Sequence, residues 1–149
     1  MKLKTKHPEY IFVYGSLRRD AKHDVLSKVK THLQYVGSGN FSGMLFDLGE
    51  YPGAIESHDD DSTQVKGEVY VVEDHRNDVF RTLDKYEGFN RESISKSLFV
   101  RKRTAIRLKN GKTILGWIYL YNKPKRIQRA KQISSGDYIR FKKQKNTHA

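Results

Sequence analysis

The 149-residue sequence contains no cysteine, which excludes disulfides, thiolate metal sites and a cysteine nucleophile together. Long hydrophobic runs are missing too: no apolar stretch approaches the roughly 20 residues of a membrane-spanning helix. The opening MKLKTKHPEY is charged and followed by only a short apolar run, unlike a secretory leader, so a soluble cytoplasmic protein is expected. The six histidines, at 7, 23, 32, 58, 75 and 148, show no ligand spacing, so no metal is expected. Acid is scarce: 17 Asp and Glu stand against 29 Lys and Arg, a net charge of +12. From Lys123 to Ala149 there are nine Lys or Arg and one acid, Asp137, a net +8 of that +12. A basic tail at about 140–149 reads as a solvated face that binds polyanions weakly. No aromatic RNA-binding signature accompanies it, so no specific nucleic-acid or membrane partner is implied.

What is present suits one globular domain spanning 1–149, since 36% of the residues are hydrophobic and 11% aromatic. Tyr10 to Tyr14 reads as a first strand, and AKHDVLSKVKTHL (21–33) as a short helix with Val25, Leu26 and Val29 on one face. Five glycines from Gly37 to Gly53 suggest short, bending strands. HDDDSTQ (58–64) is a polar loop, and Asp59 to Asp61 read as solvated rather than as a cation site. VKGEVYVV (65–72) alternates as a strand. A helix follows over Asp74–Tyr86, with Asp74 as N-cap and Gly88 as the stop. SLFVRKRTAIRL and TILGWIYLYN flank Asn110-Gly111, a strong hairpin signal. ISSGDYIRF is a short last element before the tail. Strands with one good helix make the class α+β.

Two stretches carry chemistry. Glu87 lies seven residues after Phe80 and four after Leu83, so at about 100° per residue it falls on the helix's apolar stripe. It also occupies the last turn, where the helix dipole disfavours negative charge. Burial and dipole both favour the protonated carboxyl, and a carboxyl tuned toward neutrality can accept a proton and return it; helix geometry equally allows Glu87 to fray outward and meet water or a lysine. Asp84, one turn earlier, reads as exposed or as a local hydrogen-bonding partner. In YGSLRR (14–19) a strand stops at a glycine; it reads either as a plain turn or, with positive φ there letting several N–H groups share one concavity, as an anion or oxyanion cradle, with Arg18 and Arg19 reinforcing it or at least one of them solvated at the surface.

YGSLRR, LGEYPG (48–53), KGEVYVV, LDKYEGF (83–89), GWIYLYN and ISSGDY (133–138) occur in that order, and together they closely resemble the γ-glutamylcyclotransferase-like (AIG2-like) family from about Ile11 to Tyr138. The resemblance implies a small mixed β-barrel with flanking helices and a cavity lined by the first loop. By position, Tyr14, Gly15, Ser16 and Leu17 match the family's substrate-binding loop, Glu87 its catalytic acid/base, and Tyr51, Pro52 and Gly53 a fixed segment beside the cavity. Tyr119 or Tyr121 faces the pocket; strand alternation puts both on one side and does not choose between them. Where many relatives carry a tyrosine leading the next strand this chain has Phe99, which removes a phenol hydrogen bond.

The implied activity is cyclisation of a small γ-glutamyl substrate to 5-oxoproline with release of an amine, which needs neither metal nor organic cofactor. The substrate's own α-amino group is the nucleophile, and no histidine is placed to activate Ser16. Two other readings compete: a non-catalytic module binding a small acidic metabolite, and a nucleic-acid-associated protein acting through its basic tail. An anion-binding pocket gains nothing from a buried carboxylate, which argues against the first. Loss of salt-sensitive binding on deleting 140–149 would favour the second.

Overall fold

The computed structural model describes residues 8–15, 17–18, 24–57 and 63–147. The apolar run after Glu9 forms β1 (Glu9–Val13), followed by α1 (Asp24–Val29). Next come β2 (Leu33–Asp47), β3 (Pro52–Glu56) and β4 (Gln64–Val72). The helix α2 (Arg76–Glu87) leads to the hairpin of β5 (Phe99–Leu108) and β6 (Thr113–Tyr121). The chain ends in α3 (Pro124–Ile127), β7 (Lys131–Gln132) and α4 (Tyr138–Thr147).

Five strands close into a mixed barrel in the order β2–β4–β1–β6–β5, with β5 returning to β2 through Gly39↔Leu108 and Asn40↔Arg107. The β1–β6 pairing is parallel and the others antiparallel. Beyond the barrel, the end of β2 pairs with β3 and β7. This is an α+β protein: a small mixed barrel with flanking helices.

Alternation along the strands divides the apolar side chains between two compartments. Phe12, Val65, Val69, Ile106 and Ile118 point inward and fill the barrel with Phe41 and Leu45. Their neighbours Ile11, Val13, Tyr70, Val72 and Tyr119 point outward, where Val79, Phe80 and Leu83 of α2 cover them. At about 1.5–3 kcal/mol per fully buried large apolar side chain, these two clusters carry most of the driving force for folding.

Three local expectations are corrected. Residues 33–47 form one 15-residue strand rather than short bending pieces. Two of its glycines sit at close approaches: a Cβ on Gly39 would lie 3.1 Å from Ile106 and Val69, and one on Gly43 would strike the Ile55 carbonyl oxygen. Asp74 does not cap α2; the cap position is His75, in a left-handed conformation (φ 52°), and the Asp74 carboxylate turns toward His32. The basic C-terminal stretch is helical through Thr147, and Tyr138 at its start is buried against the barrel core. Residues 21–23 of the first expected helix and 58–62 of the polar loop, with Asp59 to Asp61, lie outside the described residues. The Asn110-Gly111 hairpin and the Gly88 stop form as the sequence indicates, with Gly111 at φ 91° and Gly88 at φ 70°. No helix among the described residues is long and apolar enough to cross a membrane.

Candidate active site

β1 ends where its ladder with β4 ends, at Val13↔Glu68, and the chain then turns away from the sheet. The Arg18 N–H closes that turn on the Gly15 carbonyl oxygen at 3.0 Å. Beside it, between β6 and the C-terminal end of α2, lies a cavity of about 220 Å³ on the outer flank of the barrel. Tyr14, Gly15 and Leu17 form one wall, Glu87 stands in another, and Tyr51, Pro52, Phe99 and Tyr119 complete much of the rest.

Glu87 reaches this cavity because it continues the stripe of Val79, Phe80 and Leu83 that seats α2 on the barrel. Gly88, in the left-handed region, ends the helix by donating its N–H to the Asp84 and Lys85 carbonyl oxygens. Glu87 is half-buried and lines the cavity. Burial pushes its pKa from the ordinary 4.5 up to about 8. Among the described residues its carboxylate has no hydrogen-bond partner, and the N–H groups of Gly15 and Leu17 have no acceptor. One cavity is thus bordered by the Glu87 carboxyl and by Gly15 and Leu17, within walls that are mostly apolar.

The aromatic walls are fixed by their hydroxyls. Tyr14 donates to the Tyr119 carbonyl oxygen at 2.6 Å and accepts from the Ala54 N–H at 3.2 Å, tying the end of β1 to β6 and β3. Burial and the nearby Glu87 charge hold its pKa well above the ordinary phenol value. The Tyr119 hydroxyl donates to Asp84 at 2.6 Å, and burial with that bond raises its pKa too. Both phenols therefore stay protonated at neutral pH.

The sequence matches the family described as "Gamma-glutamyl cyclotransferase, AIG2-like" over residues 11–140. The chain belongs to this γ-glutamyl cyclotransferase, AIG2-like family. It is 32% identical over 129 residues to the Vibrio cholerae protein named "Putative gamma-glutamylcyclotransferase", covering 86% of this chain and 93% of that protein. Among solved structures it resembles an AIG2-like protein of Mus musculus (TM-score 0.59, 23% identity, 81% of this chain and 83% of that one). An uncharacterized protein of Pyrococcus horikoshii is similarly alike (TM-score 0.60, 20% identity, 94% of this chain and 98% of that one). At those identities the structural likeness speaks to the fold, and the family match carries the γ-glutamylcyclotransferase-like function.

Within this γ-glutamylcyclotransferase-like fold the site residues read from the sequence divide by position. Glu87, Tyr14, Gly15, Leu17, Tyr51, Pro52 and Tyr119 all line the cavity; Ser16 lies outside the described residues. Gly53 and Tyr121 sit behind the wall, packed so closely that a Cβ on Gly53 would lie 2.9 Å from the Tyr121 Cβ. Tyr119 is therefore the pocket-facing member of its pair. Phe99 lines the cavity, and its ring packs edge-on against Tyr121.

Two expectations about the first loop change. Gly15 does not take positive φ; its glycine is needed because a Cβ would lie 2.8 Å from Pro52 Cγ. Arg18 does not face an anion site. Its guanidinium bonds Glu68 at 2.6 Å and Asp137 at 2.7 Å, anchoring the loop to β4 and to the turn before α4. Arg19 lies outside the described residues.

Sequence reasoning missed two arginines. Arg101 grips Asp84 with Nε at 2.8 Å and Nη2 at 3.1 Å, while its guanidinium lies over Phe80 (4.4 Å) and Trp117 (4.6 Å). Asp84 is thereby half-buried and bound to a distant strand, not a local partner. Arg126 donates to the hydroxyls of Tyr51 (3.3 Å) and Tyr121 (3.4 Å) and to the Leu48 carbonyl oxygen (3.1 Å), holding the Tyr51 turn against the barrel. The partners of Arg101 are 17 residues away in sequence and those of Arg126 up to 78. No local pattern announces either.

Proposed function

We propose that the protein cyclises the γ-glutamyl group of a small γ-glutamyl amine or peptide to 5-oxoproline and releases the amine, with Glu87 as general acid and base. The observation that carries this reading is a carboxyl that burial raises to a pKa of about 8, lining the same cavity as Gly15 and Leu17, whose N–H groups have no acceptor among the described residues. The Glu87 carboxylate takes a proton from the substrate's α-ammonium. The freed amine attacks the γ-carbonyl carbon, closing a five-membered lactam. As the tetrahedral adduct collapses, the bond to the side-chain amide nitrogen breaks and Glu87 returns the proton to the departing nitrogen. General acid–base help of this kind is worth about 10²–10⁴-fold. The Gly15 and Leu17 amides stabilise the oxyanion or hold the α-carboxylate.

Orientation supplies the rest. The rings of Tyr51, Phe99 and Tyr119 leave a flexible γ-glutamyl chain little freedom, and holding it near the ring-closing shape contributes up to about 7–11 kcal/mol in favourable cases.

The test is incubation with γ-glutamyl amino acids, γ-glutamyl amines and γ-glutamyl-lysine, with 5-oxoproline as readout. Turnover of at least one is expected, with kcat/KM rising with pH through an apparent pKa near 8 as the base form of Glu87 appears. Glu87→Gln should lower kcat by at least about 10²-fold with its circular dichroism unchanged. Undiminished turnover in that variant removes Glu87 from the mechanism.

A further inference from the structure

Far from the cavity, at the opposite end of α2, the fold brings one side chain to two others more than 40 residues along the chain. His32 precedes β2; Asp74 and His75 form the turn between β4 and α2. The junction is closed by the Glu73 N–H on the His32 carbonyl oxygen at 2.8 Å. His32 Nδ1 lies 2.6 Å from Asp74 Oδ1, and His75 Nδ1 lies 3.3 Å from the same oxygen. The two imidazoles face each other with centroids 4.4 Å apart. One ligand atom from each residue falls within 4.8 Å of the others.

We propose that His32, Asp74 and His75 form a binding site for a divalent transition metal of the zinc class, which staples the start of α2 to the junction before β2. The donor set is two imidazole nitrogens and one carboxylate oxygen, a combination suited to zinc with a fourth position left to water. Ligands held 2.0–2.1 Å from zinc lie about 3.3 Å apart in a tetrahedron. The His75–Asp74 spacing already matches at 3.3 Å. The His32–Asp74 pair, a hydrogen bond at 2.6 Å, must open by about 0.7 Å to reach that value, a change within reach of a side-chain rotation.

Two features point to a site rather than a chance meeting. His75 holds a left-handed backbone conformation that few non-glycine residues adopt, and this turns its ring toward His32. Asp74 sits where an N-cap would be, yet no side chain caps α2, because its carboxylate faces the imidazoles instead. The nearest cation along the chain, Arg76, reaches instead to Glu9 at 3.6 Å, so an incoming ion does not meet a free guanidinium there. The ligands are part-exposed, with 27% of the His32 and 58% of the His75 side chain accessible, so an ion enters directly from solvent.

The experiment uses the untagged full chain, stripped with a chelator and titrated with Zn²⁺ by calorimetry, with Co²⁺ as an optical stand-in. Binding of one Zn²⁺ per chain at micromolar affinity or tighter is expected. Each of His32→Gln, Asp74→Asn and His75→Gln should weaken it by at least about tenfold. Zn²⁺ should also raise the melting temperature of the parent protein and leave that of the variants unmoved, since a ligand bound only to the folded state stabilises it. Metal-free melting curves of the variants establish that they fold. Absence of stoichiometric binding to the parent overturns the proposal, as does binding that persists in all three variants.

Discussion

A single titrating residue, Glu87, links the proposed activity to stability. Its pKa in the folded protein is about 8, against 4.5 ordinarily, so between those values the folded state holds a proton the unfolded state has released. Stability therefore falls as pH rises through that window, and is highest, as far as this group is concerned, below pH 4.5. Each pKa unit corresponds to about 1.4 kcal/mol, so the penalty at high pH is on the order of a few kcal/mol. Glu87→Gln removes it. The variant should melt above the parent at pH 8, with the gap closing toward pH 5, as differential scanning calorimetry at both values will determine. An equal gap at both would mean the carboxyl is solvated in the folded protein. The proposed catalytic group is thus a burden on the fold that a nearly isosteric amide relieves.

At the scale of elements, α2 is positioned by its two ends and its apolar stripe. Gly88 stops it in a left-handed conformation, and the Gly88 carbonyl oxygen then accepts the Leu98 N–H at 3.1 Å, closing the loop that returns to the cavity at Phe99. Gly88→Ala strains that conformation and brings a Cβ to 3.3 Å from the Leu98 Cβ. A loss of at least about 1 kcal/mol in denaturant unfolding is expected, together with lower turnover as Glu87 is re-aimed. Stability lost with turnover untouched would mean that the stop does not aim the carboxyl. Much of this element was legible in the sequence, because stripe, stop and hairpin turn are set by residues a few positions apart. The closure of β5 onto β2 was not, nor was the bidentate grip of Arg101 on Asp84, since both depend on segments the barrel brings together. Gly15 was read correctly as necessary for the wrong reason: the constraint is Pro52, which reaches it from another strand.

On the scale of the whole molecule, Arg18 binds three distant parts of the chain into one unit. Its side chain is 13% accessible and meets Glu68, 9% accessible, and Asp137, 21% accessible. The first loop is thereby joined to β4 and to the turn that introduces α4. Arg18→Met leaves the Glu68 carboxylate buried without its guanidinium, and a cost of about 3–5 kcal/mol in urea unfolding is expected. Arg18→Met combined with Glu68→Met should recover the part of that loss due to Glu68, because that pair is then replaced by apolar volume, while Asp137 still lacks its guanidinium. A double variant no more stable than the single one would show that the loop, rather than the charge, was being measured.

β1 acts as a partition. Phe12 packs in the filled barrel while Val13, one position later, packs on its outer face, and both border the hollow, so adjacent codons answer to different demands. A lineage that must accommodate a bulkier or differently charged guest can redraw the outward positions of this strand and leave the inward ones untouched. Diversification of substrates on such a scaffold then proceeds by resurfacing one side of a wall whose other side stays the same.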